Sequence, residues 1–102
     1  MKKLCYKKIE IYNNKNDLIY KGEYNKGNIL NGKIKEYYND ELIFEGEYLN
    51  GERNGKGKEY NKYGKLVFDG EYLNGKKWNG KGFNINNEIE YEIKDGNGKV
   101  KL

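Results

Sequence analysis

Histidine and proline are absent from this chain, cysteine occurs once, and no long apolar run interrupts its 102 residues. Each absence excludes something. Without histidine, and with Cys5 alone, neither a histidine-based catalytic triad nor the usual zinc ligand sets can be assembled. One cysteine also rules out an internal disulfide and suits a reducing compartment. No segment approaches the ~20 apolar residues of a helical membrane span. Lys2 and Lys3 open as a secretory leader does, but only Leu4, Cys5 and Tyr6 separate them from Lys7 and Lys8. No leader core forms, and a cytoplasmic protein is expected. The same brevity argues against lipidation at Cys5. The lack of proline leaves backbone ladders uninterrupted.

A dominant sign of charge is missing too. The 20 basic and 16 acidic residues interleave, for a net charge of +4. Nucleic acid is therefore not an expected partner, because it needs a one-signed face. A mild attraction to anionic surfaces is all that the balance implies. Hydrophobic residues make up 35% and charged residues another 35%, too lean a mixture for a thick two-layer core. Such a composition borders on disorder. Against that, aromatics reach 15% and recur at fixed spacing.

The spacing is the main content of the sequence. Residues 66–82 read LVFDGEYLNGKKWNGKG, residues 42–58 read LIFEGEYLNGERNGKGK, and residues 18–34 read LIYKGEYNKGNILNGKI. The 24-residue period defines a tandem array. We divide it into a partial unit at 7–19, units at 20–43, 44–67 and 68–90, and a partial unit at 91–102. The ends are atypical, as capped arrays require; Ile93 stands where the motif glycine stands elsewhere. Within each unit the pattern alternates at period 2, and Gly or Asn punctuates it every few residues. That excludes helix. It predicts an all-β chain of roughly nine short strands, a meander of tandem hairpins. Turns are expected at 50–54 and 74–79, with strands returning from Gly55 and Gly80.

The two strands of a unit differ. The outgoing strand carries rings on either side of a glycine. One face should therefore collect Tyr20, Tyr24, Phe44, Tyr48, Phe68, Tyr72 and Tyr91. Gly22, Gly46 and Gly70 on outgoing strands, and Gly55, Gly57, Gly80 and Gly82 on returning strands, should leave room for rings lying flat on the backbone. Such a row is a core in itself and needs no second layer. On the opposite face Glu45 and Glu47 should meet Lys56 and Lys58, Asp69 and Glu71 should meet Lys81, and Glu23 should meet Lys33 and Lys35. Each opposed pair is worth roughly 0.2–1 kcal/mol and sets register more than stability. Near the NKYGK-type turns this face becomes apolar, pairing Tyr12 with Ile19, Tyr37 with Ile43 and Tyr60 with Val67.

No cofactor or metal site is expected. Glu45 and Glu47 resemble an acid/base pair, but they recur in every unit opposite lysines, which favours structural ion pairing. The Gly-Lys-Gly segments are not phosphate loops, since no helix follows them. Binding is expected to use the aromatic face and the loop edge with Ile29, Leu30 and Trp78, beside Lys76 and Lys77; Lys26, Lys76, Lys77 and Trp78 would serve a membrane surface. An indole beside two lysines at a hairpin end suits a protein hot spot or a membrane interface.

The motif Tyr/Phe-x-Gly-Glu-Tyr-x-x-Gly followed by Gly-Lys-Gly resembles the MORN repeat. YKGEY at 20–24, FEGEY at 44–48 and FDGEY at 68–72 carry the likeness, with GKG at 55–57 and 80–82. Ile34 departs from it in the first unit. The 24-residue spacing and the NKYGKL turn resemble the longer variant found in bacteria and protists. The resemblance implies a single-layer, twisted, elongated sheet of hairpins and a role in scaffolding, self-association or phospholipid binding. The expected function is a non-catalytic protein-interaction module whose partner is another protein or a second copy in a homodimer. Binding to an anionic membrane surface is the alternative, and inhibition of a specific enzyme, as by an antitoxin or effector, is a second.

Overall fold

A computed structural model describes residues 6–25 and 31–101 and, within them, every side chain except those of residues 6, 7 and 23–25. Lys26, Ile29, Leu30 and the Tyr24 ring therefore lie outside the described residues. The rest is all-β. Nine strands follow one another as β1 (Tyr6–Tyr12), β2 (Leu18–Asn25), β3 (Gly32–Tyr38), β4 (Glu41–Leu49), β5 (Glu52–Tyr60), β6 (Leu66–Leu73), β7 (Lys76–Phe83), β8 (Ile89–Lys94) and β9 (Asn97–Val100). They form one open antiparallel sheet in sequence order. Its extents are 52 × 35 × 17 Å and its radius of gyration 15.2 Å. A compact domain of this length has a radius of about 13 Å. The single-layer hairpin meander is thus directly visible in the shape.

The hairpin ends are tighter than the sequence suggests. Asn50-Gly51, Asn74-Gly75 and Asp95-Gly96 each place two consecutive residues at positive φ. This is the two-residue hairpin turn whose twist matches the strands it joins. Pairing resumes at once, Leu49 opposite Glu52 and Leu73 opposite Lys76. The expected turns at 50–54 and 74–79 are therefore corrected to two residues each. The surplus residues are absorbed inside β5 and β7, where the register shifts. Trp78 is one of them, a bulged strand residue rather than a turn residue.

Asparagine side chains tie neighbouring hairpins together. The Oδ1 atoms of Asn31, Asn54 and Asn79 accept the backbone amides of Asn50, Asn74 and Asp95 at 2.7, 3.0 and 2.9 Å. At the opposite edge Asn13, Asn61 and Asn84 each accept two amides of their own turn. Bulges at that edge alter the expected pairs. Tyr12, Tyr37 and Tyr60 stand opposite Leu18, Leu42 and Leu66. Ile19, Ile43 and Val67 are the extra residues, half-buried in the bulge.

Glycine makes the thin core possible. Ile34, Phe44, Tyr48, Phe68 and Tyr72 are buried, Phe44 and Phe68 completely. A Cβ on Gly57 would sit 2.6 Å from Phe44 Cε1 and 2.9 Å from Tyr72 Cε1. One on Gly82 would collide with the Tyr91 ring, and one on Gly80 would lie 2.7 Å from Phe68 Cζ. Two expected glycines behave differently. Gly22 faces Ile34 rather than a ring, because this unit has isoleucine where the next has Gly57. Gly55 lies under no ring; it takes φ +101° at the bulge, and a Cβ there would meet the Glu47 carboxylate.

Candidate functional site

The aromatic face is continuous and closed by the chain itself. Ring neighbours run Tyr20–Tyr48–Phe44–Tyr72–Phe68–Tyr91, with centroids 5.4–6.3 Å apart and mostly edge-to-face. Arg53, directly opposite Tyr48, lays its guanidinium 4.0 Å from the Phe44 centroid. Lys77, opposite Tyr72, holds its ammonium 4.8 Å from the Phe68 centroid. Such cations gain from the ring quadrupole while their stems cover apolar surface. Two acids fix them. Glu36 accepts Arg53 Nε at 2.8 Å and Nη2 at 3.0 Å, a two-point clasp, and also accepts the Tyr48 hydroxyl. Glu59 accepts the Tyr72 hydroxyl and lies 3.3 Å from Arg53 Nη1 and 3.7 Å from Lys77 Nζ. Lys77 also donates to the Tyr91 hydroxyl at 2.9 Å. The row of rings thus has a second, side-chain layer that the sequence reading did not foresee.

This network has an electrostatic consequence. Burial, then the hydrogen bond to Glu36, pushes the Tyr48 hydroxyl well above the ordinary tyrosine value. Burial and Glu59 do the same to Tyr72. For Arg53, burial opposes the charge, but the bond and field of Glu36 outweigh it and raise the pKa. Above about pH 10 the unfolded chain loses tyrosine protons that the folded chain keeps, so stability must fall as pH rises. The slope is up to about 1.4 kcal/mol per pH unit for each of the two tyrosines. Denaturant melts between about pH 9 and pH 11 should show it. A Tyr48→Phe/Tyr72→Phe variant should lose most of it.

The other face carries the charge and stays open. It curls into a trough of about 1380 Å³ lined by residues of β1–β6. One register row crosses the whole sheet: Glu10, Lys21, Lys35, Glu45, Lys58, Asp69, Lys81, Glu92, Lys99. The expected pairing of Glu45 with Lys58 and of Asp69 with Lys81 is present. The expected pairing of Glu23 with Lys35 is not, since Lys35 stands opposite Lys21. Close ion pairs do not form on this face among the described residues; the three within 4.0 Å all belong to the aromatic face. Its acids bond elsewhere. Glu10 accepts the Tyr12 hydroxyl at 2.8 Å, Glu47 the Lys56 amide at 2.8 Å, and Glu71 the Asn79 side chain at 3.2 Å. Burial, then the charge of Glu45, raises the pKa of the Tyr60 hydroxyl.

Of the candidate binding residues only Lys76, Lys77 and Trp78 are described, and they face different ways. Lys77 turns to the aromatic face and is engaged there. Lys76 is exposed. Trp78 is 37% exposed, and its ring edge packs on the next hairpin's turn, 2.8 Å from where a Gly96 Cβ would stand. Leu49 and Leu73 are exposed at the same sheet edge. Sequence reasoning missed Arg53, Glu36 and Glu59. Period-2 counting from Gly57 assigns Glu59 to the ring face, which was the available signal. Among the described residues no group of three potential metal ligands occurs, and no helix is long and apolar enough to cross a membrane. No family model matches the chain, and comparison with curated proteins and with solved structures gives no match.

Proposed function

We propose that this chain is a non-catalytic protein-interaction module, a scaffold element of the MORN-repeat type. The observation that carries the reading is the inequality of its two faces. One is sealed by Arg53 and Lys77 over the rings. The other is an open trough whose charged groups, though opposed in register, form no close ion pairs among the described residues, and half-buried Tyr37, Ile43, Tyr60 and Val67 lie toward the turn edge of the sheet. A one-layer sheet that closes one face for stability leaves the other for a partner. The repeat motif at 20–24, 44–48 and 68–72 supports the family assignment. A single cysteine in 102 residues is in keeping with work in a reducing compartment such as the cytoplasm.

Affinity capture with the tagged chain, compared with an Ile43→Lys/Val67→Lys variant, tests the reading. A specific protein retained by the parent and lost from the variant is the expected result. Retention of nothing but anionic liposomes, released as salt rises, would favour the membrane alternative instead. If the partner is a second copy, light scattering should show a dimer for the parent and a monomer for the variant, with the sheet's circular dichroism unchanged.

A further inference from the structure

We infer that the Lys21–Lys35 step of the charged row is a docking point for an acidic segment of the partner polypeptide, an inference that rests on the protein-binding reading above. The row alternates in sign at every strand but one. From Lys35 to Lys99 each residue faces its opposite, and so do Glu10 and Lys21. Between β2 and β3 the phase slips and two lysines stand directly opposite each other. Like charges in that position destabilise a sheet.

Among the described residues neither lysine forms an ion pair within 4.0 Å. Both lysines are exposed. Each has one acid directly opposite on its other side, Glu10 for Lys21 and Glu45 for Lys35, and Glu10 accepts the Tyr12 hydroxyl. Nor can a single charge reversal repair the fault. Lys21→Glu would set an acid against Glu10, and Lys35→Glu would set one against Glu45. An anion supplied from outside satisfies both lysines without moving the fault elsewhere. Lys8 and Lys33 line the same trough and extend the positive potential along β1 and β3.

The trough also indicates the size of the occupant. At about 1380 Å³ and open to solvent it exceeds the ~300–1,000 Å³ of small-molecule sites. A polypeptide lying along β2 and β3, with a carboxylate between Lys21 and Lys35, fits its shape and sign.

Fluorescence anisotropy with a labelled oligoglutamate peptide and the full chain tests this, with an oligolysine peptide as the sign control. Oligoglutamate should bind and oligolysine should not. Lys21→Gln/Lys35→Gln should weaken binding about tenfold. Lys58→Gln/Lys81→Gln removes the same net charge from the alternating part of the row and should cost less than about twofold. The Lys21→Gln/Lys35→Gln chain should melt no lower than the parent, because a like-charge contact is relieved. Equal losses in the two double variants would reduce the effect to net charge and overturn the proposal. So would binding to phosphatidylserine vesicles that oligoglutamate fails to displace. If oligoglutamate does not bind while the chain still captures a specific protein, the docking point is refuted and the protein-binding reading stands. If no protein is captured, that reading falls as well.

Discussion

Gly46→Val should melt far below the parent chain. A Cβ at this position would lie 2.5 Å from the Lys56 carbonyl oxygen, 2.6 Å from Gly57 Cα and 2.8 Å from Phe44 Cζ. Two of these three atoms are backbone on the paired strand, so a side chain cannot yield and the sheet itself must part. Overpacking typically costs about 1–3 kcal/mol and more where nothing can move. We expect at least about 3 kcal/mol, a fall of roughly 12–24 °C in Tm for a domain of this size. Gly98→Ala is the matched control. Its nearest neighbour would be 3.8 Å away and it needs no left-handed backbone, so its melt should be unchanged. Equal melts for the two variants would mean that rings do not lie on the glycine ladder.

Arg53→Ala carries the second large effect. The substitution strips the guanidinium from the Phe44 ring and leaves Glu36, only 9% exposed, with a tyrosine hydroxyl as its remaining partner. Removing one member of a buried ion pair costs about 3–5 kcal/mol, because the orphaned charge stays buried. The Arg53 side chain is 24% exposed, which places the expected loss near the lower end, about 3 kcal/mol. Arg53→Met/Glu36→Gln keeps the cover and removes the charge, and should recover much of the loss. Lys77→Ala should cost less than Arg53→Ala, since Glu59 retains Arg53 and Tyr72. Urea melts of these variants give the coupling directly.

Much of this architecture can be read from residues alone, and the reasons are local. Period-2 alternation, a ring on each side of Gly46 and Gly70, and Asn-Gly dipeptides at fixed intervals require hairpins, rings on one face and charge on the other. The turn boundaries were misjudged because NGERNG and NGKKWNG each contain two asparagine–glycine pairs. The first makes the turn in each case. The second does different work: Asn54 and Asn79 reach across to the next hairpin. Lys77 was grouped with Trp78 by adjacency in sequence, whereas strand alternation turns it onto the rings. Arg53, Glu36 and Glu59 escaped notice because charged residues in a lean sequence read as solvated. Period-2 counting could have placed Glu59 on the ring face, but it takes the cross-strand register, opposite Tyr48, Phe44 and Phe68, to show that Arg53, Glu36 and Glu59 together close the core. The Lys21–Lys35 fault was invisible for a related reason. Residues 26–27 read Lys-Gly where later units have Asn50-Gly51 and Asn74-Gly75, so the sequence carries no turn signal from which to count the β2–β3 register.

The claim on which the account turns is that one face is sealed by the chain's own cations and the other left open. Lysine-acetylation footprinting of the free, folded chain tests it in a single measurement. Lys77, held between the Phe68 ring, Glu59 and the Tyr91 hydroxyl, should be among the slowest lysines to react, while Lys76 beside it, and Lys21 and Lys35 in the trough, should react at exposed-lysine rates. Acetylation of Lys77 as fast as Lys76, or protection of Lys21 and Lys35 in the free monomer, would contradict it.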